Sequence, residues 1–378
     1  MRVAFYAPLK AADDPIPSGD RQMARLLLAA LSRAGMQVET ASRFRSYDGG
    51  DSLRQRRVAG AGVRLAERLV RRFRSRPEAE RPEVWFTYHL YHKAPDWLGP
   101  VVSGALGIPY VLAEASHAPK QETGPWAEGS AAVARAIAEA DLIFGLNPAD
   151  EPCVRRLMPH AARLVPLAPF IDAAAFDAVA LRPGARARVR RRLEIAEEEP
   201  VLLTVAMMRP GAKLASYLCL AAALRRLEDR PWRLLVAGAG PAEAVVRAAM
   251  APLGRRVVFL GECDQVALRE AYAAADLYAW PAIGEAYGVA FLEAQAAGLA
   301  VAAGRAGGVP AVVAENETGL LVAAGDGSAF AGAVRLLLDD PARRREMGEA
   351  ARRRVRSHHD LEQAAAWIRE HLAGLRKG

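Results

Sequence analysis

Short apolar runs alternate with longer amphipathic stretches along this chain of 378 residues. Residues 2–7 open it with Val3, Ala4, Phe5, Tyr6 and Ala7, an apolar run of strand length. A loop rich in Pro, Asp and Gly follows. Residues 20–33 then repeat their apolar positions at helical spacing, Gly35 supplies a helix stop, and 36–41 read as the next strand. Further strands are expected at 84–88, 110–114, 142–145 and 164–166, with helical stretches between them. Residues 182–199 are charged and read as a linker plus a first helix. A second series of strands then runs through 201–205, 234–237, 257–260, 277–280, 299–302 and 320–322. From Pro341 onward two charged helices are expected. Strand–helix alternation of this kind builds parallel sheets covered on both faces. Two such series predict an α/β protein of two doubly wound domains facing a central cleft, where the C-terminal ends of the strands hold ligands.

The length supports two domains, each large enough to bury its own core. No apolar run reaches about 18 residues, so no membrane span is expected. The N-terminus lacks the basic start and long apolar stretch of a secretory signal. Cys153, Cys219 and Cys263 are scattered, without a C-x-x-C pair. That pattern argues against a disulfide framework or a zinc site and fits a reducing cytosol, so a cytoplasmic location is expected.

Charge changes this picture in one place. The net charge is +8 and the excess is uneven: eleven arginines lie between Arg43 and Arg76, against Asp48, Asp51 and Glu67. On a helical wheel Gly62, Val63, Ala66, Leu69, Val70 and Phe73 share one face, and Arg57, Arg64, Arg68 and Arg71 lie opposite. Two readings stay open: a solvated helix face, or a peripheral docking surface for anionic membrane headgroups. Nucleic acid is not expected as a partner, because one aromatic, Phe73, accompanies the arginines of the helical stretch 54–76 and no known binding module is present.

Candidate chemistry concentrates in the second half. In "WPAIGEAYGVAFLEAQAAG", Glu285 sits in a loop after the 277–280 strand and Glu293 lies eight positions on, in a helix opened by Tyr287 and Gly288. From Ala286 to Gly304, Glu293 is the only charged side chain. A carboxylate in so apolar a helix is costly unless something pairs with it. Free N–H groups at the helix start form an anion site. In "AMMRPGAKLASY", Arg209 and Lys213 follow a strand in a loop with Pro and Gly, where two cations can stabilise developing negative charge. In the first half, Gly19 in "PIPSGDRQ" stands where a strand-to-helix loop can approach a phosphate or sugar through its backbone. His117 follows the fourth strand, and His89 and His92 follow the third, on the side expected to take an acceptor. Gly238 and Gly240 in "AGAGPAEAVV" lack the third glycine of a dinucleotide fingerprint and do not read as a nicotinamide site.

The E-x7-E segment resembles the signature of the family-4 retaining glycosyltransferases of GT-B fold, which have two Rossmann-like domains. "VVFLGE", "YAAADLYAWPA", "EAQAAGLAVAAGRAGGVPAVVAENETGLLV" and Gly325-Asp326 follow the family's order and spacing. The resemblance implies that Glu285 bonds hydroxyls of a donor sugar and Glu293 the ribose hydroxyls of its nucleotide. It also implies that backbone N–H groups at Ala286, Tyr287 and Gly288 face sugar and diphosphate, with Val289 and Gly261 completing the donor contacts. The Arg209…Lys213 pair matches a family pair, in a loop one residue shorter than usual. Gly19 matches a glycine-containing loop, and His117 a histidine that contacts the donor sugar. Where this chain has Ala286-Tyr287, relatives usually carry Gly-Phe. The implied domains are 1–180 on the acceptor side, 181–356 on the donor side, and a C-terminal helix, 357–378, packing back on the first.

The implied reaction moves a sugar from a nucleotide-diphosphate sugar to an acceptor hydroxyl of a glycan, lipid-linked or small molecule, with retention. No D-x-D motif or His/Cys cluster presents itself, so neither metal nor cofactor is expected and the nucleotide sugar is a substrate. The competing readings are a GT-B phosphorylase or epimerase, a catalytically weak GT-B module in polysaccharide assembly, and a lipid-binding protein resting on the arginine helix alone.

Overall fold

A computed structural model describes residues 1–16, 18–159, 162–176, 184–285 and 288–375. The strands read from apolar runs all form. In the first series β1 (Arg2–Tyr6) leads to helix α1 (Gly19–Arg33), β2 (Gln37–Ser42), α2 (Ser52–Arg74), β3 (Val84–Leu90), α3 (Gly99–Leu106), β4 (Tyr110–Ala115), α4 (Ala127–Glu139), β5 (Leu142–Gly145), α5 (Glu151–Arg155) and β6 (Arg163–Pro166). The second series runs α6 (Ala185–Arg192), β7 (Val201–Val205), α7 (Ala212–Arg225), β8 (Arg233–Ala237), α8 (Glu243–Met250), β9 (Val257–Gly261), α9 (Gln265–Ala274), β10 (Leu277–Trp280), α10 (Val289–Ala296), β11 (Ala300–Arg305), α11 (Val309–Val312), β12 (Gly319–Ala323), α12 (Gly327–Asp339) and α13 (Pro341–His358). Helix α14 (Leu361–Ala373) closes the chain.

The chain divides into two compact units, residues 1–168 with 361–378, and residues 169–360. The expected boundary at 180/181 lies outside the described residues. Among the described residues each unit holds a six-stranded sheet, ordered β2-β1-β3-β4-β5-β6 and β12-β11-β10-β7-β8-β9. Every strand pair is parallel. Parallel strands covered on both faces must be apolar throughout, which is why β3, β4, β7 and β8 are buried almost end to end. The strand order reverses between β1 and β3 in the first unit and between β7 and β10 in the second. Ligands of doubly wound sheets bind at such switch points, outside the C-terminal ends of the strands.

Local signals agree with this frame. Ser18 caps α1 through the Arg21 amide, and Asp51 caps α2 through the amides of Leu53 and Arg54. In α2 the buried positions are Gln55, Gly62, Ala66, Leu69, Val70 and Phe73. Val63, expected among them, is 41% exposed; the packed stripe slants toward Gln55, which bonds Asp48 and the Pro125 carbonyl. Arg57, Arg64, Arg68 and Arg71 are exposed as expected. In the first unit α14 packs on α1, with Arg33 paired to Glu362 and the Trp367 indole donating to the Pro166 carbonyl. No helix among the described residues is long and apolar enough to cross a membrane.

Candidate active site

In the second unit the turn before α7 reverses at Gly211 (φ 84°), and Lys213 stands in the first turn of the helix. Its ammonium pairs with the Glu285 carboxylate and lies 5.6 Å from the centre of the Trp280 ring. The Trp280 indole N–H donates to the same carboxylate at 3.2 Å. The pair therefore bridges the switch point between β7 and β10. The loop carrying Glu285 is strained: Ala282 has φ 55°, a left-handed conformation in which a side chain is disfavoured. Ser216 steadies that loop by accepting from the Ile283 amide. Arg209 is exposed on the preceding loop, and its guanidinium makes no ion pair among the described residues. The structure thus brings Lys213 to Glu285 and leaves Arg209 free to turn.

Glu293 is buried in α10, and the Tyr272 hydroxyl lies 3.0 Å from its Oε2. Burial raises this carboxyl above its ordinary value of 4.5, against the Tyr272 hydrogen bond and the nearby Arg269 charge. Such a carboxylate gains from a ligand that offers it hydroxyl donors. Gly288 precedes α10 with φ 65°, and a Cβ there would meet the Phe291 ring at 2.6 Å. The helix therefore opens at Val289, after the Tyr287-Gly288 opening that was expected. Val289 is half-buried and offers its amide in the first turn. Ala286 and Tyr287, two of the expected donor contacts, lie outside the described residues. Gly261 ends β9 with φ 69° and accepts from the Gly238 amide. Gly238 and Gly240 have a packing explanation: side chains there would meet the Ala206 and Met208 carbonyls at 2.0 and 2.5 Å. They let the β8–α8 loop lie directly on the loop that bears Arg209.

In the first unit Gly19 opens α1, and a Cβ there would meet nothing within 4 Å, so internal packing does not require the glycine. His117 is buried beyond β4, its Nε2 3.3 Å from Ser130 Oγ and 3.8 Å from Glu122. His92 is half-buried edge-on to Trp126; burial, then Lys93, Lys120 and His117, lower its pKa.

A further group emerges at this unit's own switch point. His89 Nδ1 lies 2.9 Å from Asp20 Oδ1, and its Nε2 lies 4.0 Å from Glu114. His89 (φ 57°) and Glu114 (φ 60°) are both left-handed, at the ends of neighbouring strands β3 and β4. Burial disfavours the imidazolium, but Glu114 and Asp20 outweigh it and raise the His89 pKa above 6.5. Burial, by contrast, raises the Glu114 carboxyl, against the nearby His89 charge. A cavity of about 70 Å³ opens beside Glu114 and Asp150. Sequence reasoning placed His89 on this side but missed Asp20 and Glu114, which only the strand order brings to it.

The family "Glycosyl transferases group 1" matches residues 185–354, which hold β7 to β12 and the Lys213–Glu285–Glu293 group. A "D-inositol 3-phosphate glycosyltransferase" of Acidothermus cellulolyticus is 32% identical over 314 residues, 75% of this chain and 67% of the relative. The chain belongs to the group 1 glycosyl transferases. Another group 1 relative of the same description, from Nocardia farcinica, is 37% identical over 182 residues, 46% of this chain and 40% of the relative. The chain thus aligns with about two fifths to two thirds of the length of these two relatives. Among solved structures, Anabaena Alr3699/HepE in complex with UDP superposes with a TM-score of 0.73 at 17% identity, over 99% of this chain and 100% of that one. That likeness is one of fold, and the fold of this group 1 chain is GT-B, as the resemblance implied.

Proposed function

We propose that this protein is a retaining glycosyltransferase that moves a sugar from a nucleotide-diphosphate sugar to an acceptor hydroxyl, without a metal. The observation that carries the reading is the Lys213–Glu285 pair across the β7/β10 switch point, with Glu293 buried one helix turn and more beyond it. Lys213 faces the diphosphate and, with Arg209, stabilises the negative charge that develops as the glycosidic bond breaks. The first amides of α10 add their partial positive charge. These groups supply the charge stabilisation that a metal would otherwise give. Glu285 accepts from hydroxyls of the sugar, and Glu293 from the ribose. Neither carboxylate is placed as a nucleophile; the leaving phosphate takes the acceptor proton on the same face, which gives retention.

The first unit is assigned to the acceptor. Asp20, His89 and Glu114 present two acceptors and a donor to a hydroxyl-bearing molecule, and Gly19 leaves room above them. His117 is assigned to the donor sugar. The exposed arginines of α2 support a peripheral contact with an anionic membrane from the cytoplasmic side. Purified protein incubated with a panel of nucleotide sugars should hydrolyse one of them slowly when no acceptor is present. Chelator should leave that rate unchanged. Absence of turnover across the panel refutes the enzyme reading and favours an inactive GT-B module; loss of rate in chelator refutes the metal-free one.

A further inference from the structure

The second unit carries a groove of about 550 Å³ at the N-terminal ends of its strands β10 and β11, opposite the end that bears the donor residues. Arg186 of α6 and Arg344, Arg345 and Arg352 of α13 line it. Asp276 is the carboxylate in the lining, and it is already fully engaged. It takes Arg186 at 2.6 Å, the buried Arg190 at 2.5 Å and the Val201 amide at 2.8 Å. The three α13 arginines bond to backbone carbonyls instead: Arg344 to Leu337 at 2.6 Å, Arg345 to Pro341 at 3.1 Å, and Arg352 to Ala297 at 2.9 Å. No carboxylate pairs with those three among the described residues. Burial lowers the Arg344 pKa; Asp276 resists this and Arg186 adds to it.

Several guanidinium groups around one open groove, without matching negative charge, repel each other. Two features hold them there. Gly298 (φ 83°) leaves space for the Arg352 guanidinium, and Gly348 lets α13 lie against the Gly298 carbonyl, which a Cβ would meet at 2.1 Å. Arginine forks match phosphate oxygens two at a time, and several forks on one groove suit a ligand with more than one phosphate. The volume exceeds what a single inorganic phosphate fills and lies in the range of small-molecule sites.

We propose that the Arg186–Arg344–Arg345–Arg352 groove is a second anion-binding site, taking a small soluble molecule that carries two or more phosphate groups. It is separate from the donor site but touches it through Tyr272, which lines the groove while its hydroxyl reaches Glu293. Inorganic pyrophosphate is the probe, titrated by calorimetry into Lys213→Ala protein so that the donor diphosphate site is disabled. One molecule should still bind per chain, less tightly as salt rises. Adding Arg344→Gln and Arg345→Gln should weaken it by about tenfold or more. Arg345→Gln alone, at an exposed position, should weaken it measurably while leaving the melting temperature unchanged, which separates lost binding from lost folding. The proposal is overturned if Lys213→Ala protein binds no pyrophosphate, or if its binding is indifferent to the α13 substitutions.

Discussion

At the scale of single residues, Glu285, Glu293 and Lys213 stood out in the sequence because each breaks a pattern. Glu293 interrupts an apolar helix, Glu285 and Lys213 follow strand ends, and charge in such places needs a reason. Lys213→Ala should reduce transfer by roughly 3 kcal/mol in the transition state, the scale of one lost electrostatic contact, with an unchanged circular dichroism spectrum; near-normal turnover at saturating donor would contradict its role. Glu293→Gln should weaken binding of the free nucleoside diphosphate by about 1.5–3 kcal/mol, as for hydrogen bonds to a charged group. Glu285→Gln should not weaken it, since the substitution frees Lys213 from its internal partner; instead it should lower transfer. Calorimetry on both variants decides this, and equal losses would mean that the donor lies the other way round. The Asp20–His89–Glu114 group was not legible. Its first two members are 69 positions apart, and no pattern of residues announces a left-handed His or Glu. Because the folded-state pKa of His89 is raised, its interactions stabilise the protein fully below pH 6.5 and are lost as pH rises through the folded value. Glu114, also raised, acts in the same direction from 4.5 upward. Urea midpoints measured across pH 6 to about 9 should therefore fall more steeply for the wild type than for His89→Gln.

Among elements, strands were the easiest to read, since a strand buried on both faces is a short apolar run bounded by polar turns. Helix ends were harder. Gly288 was expected to open a helix and instead caps it, because φ 65° puts it outside. Helix α2 shows the limit of a wheel: the apolar stripe was visible, but Val63 lies beyond its packed edge. The exposed arginines opposite that stripe give α2 its testable property. Each Arg near an anionic surface is worth about 1 kcal/mol. Wild-type protein should sediment with phosphatidylglycerol vesicles at low salt, and the variant with Arg57, Arg64, Arg68 and Arg71 changed to Gln should stay in solution. Equal sedimentation would make α2 a solvated face.

At the scale of the whole molecule, the βα repetition announced two doubly wound sheets, but not where one unit hands over to the other; no composition change marks residue 168. The sequence also hid that the two units repeat one device with its polarity reversed. At each switch point a charged side chain in the first turn of the helix after one strand pairs with one at the end of the neighbouring strand or in the loop beyond it. In the second unit the helix brings the cation, Lys213, and the loop the anion, Glu285. In the first unit the helix brings the anion, Asp20, and the strand end brings His89, a cation when protonated. Duplicate architecture creates a hazard: each unit has a switch point of the kind that binds nucleotides, and, on the proposed assignment, a nucleotide lodged in the first unit blocks the acceptor. On the proposed donor assignment, reversal of polarity sorts them: a diphosphate beside Asp20 and Glu114 meets like charge, and one beside Lys213 meets a cation. Photo-reactive nucleoside diphosphate should accordingly label peptides from 169–360 and none from 1–168. Replacing Asp20 with Lys and Glu114 with Gln should begin to open the wrong door, and labelling of the first half by the unaltered protein would show that no such sorting exists.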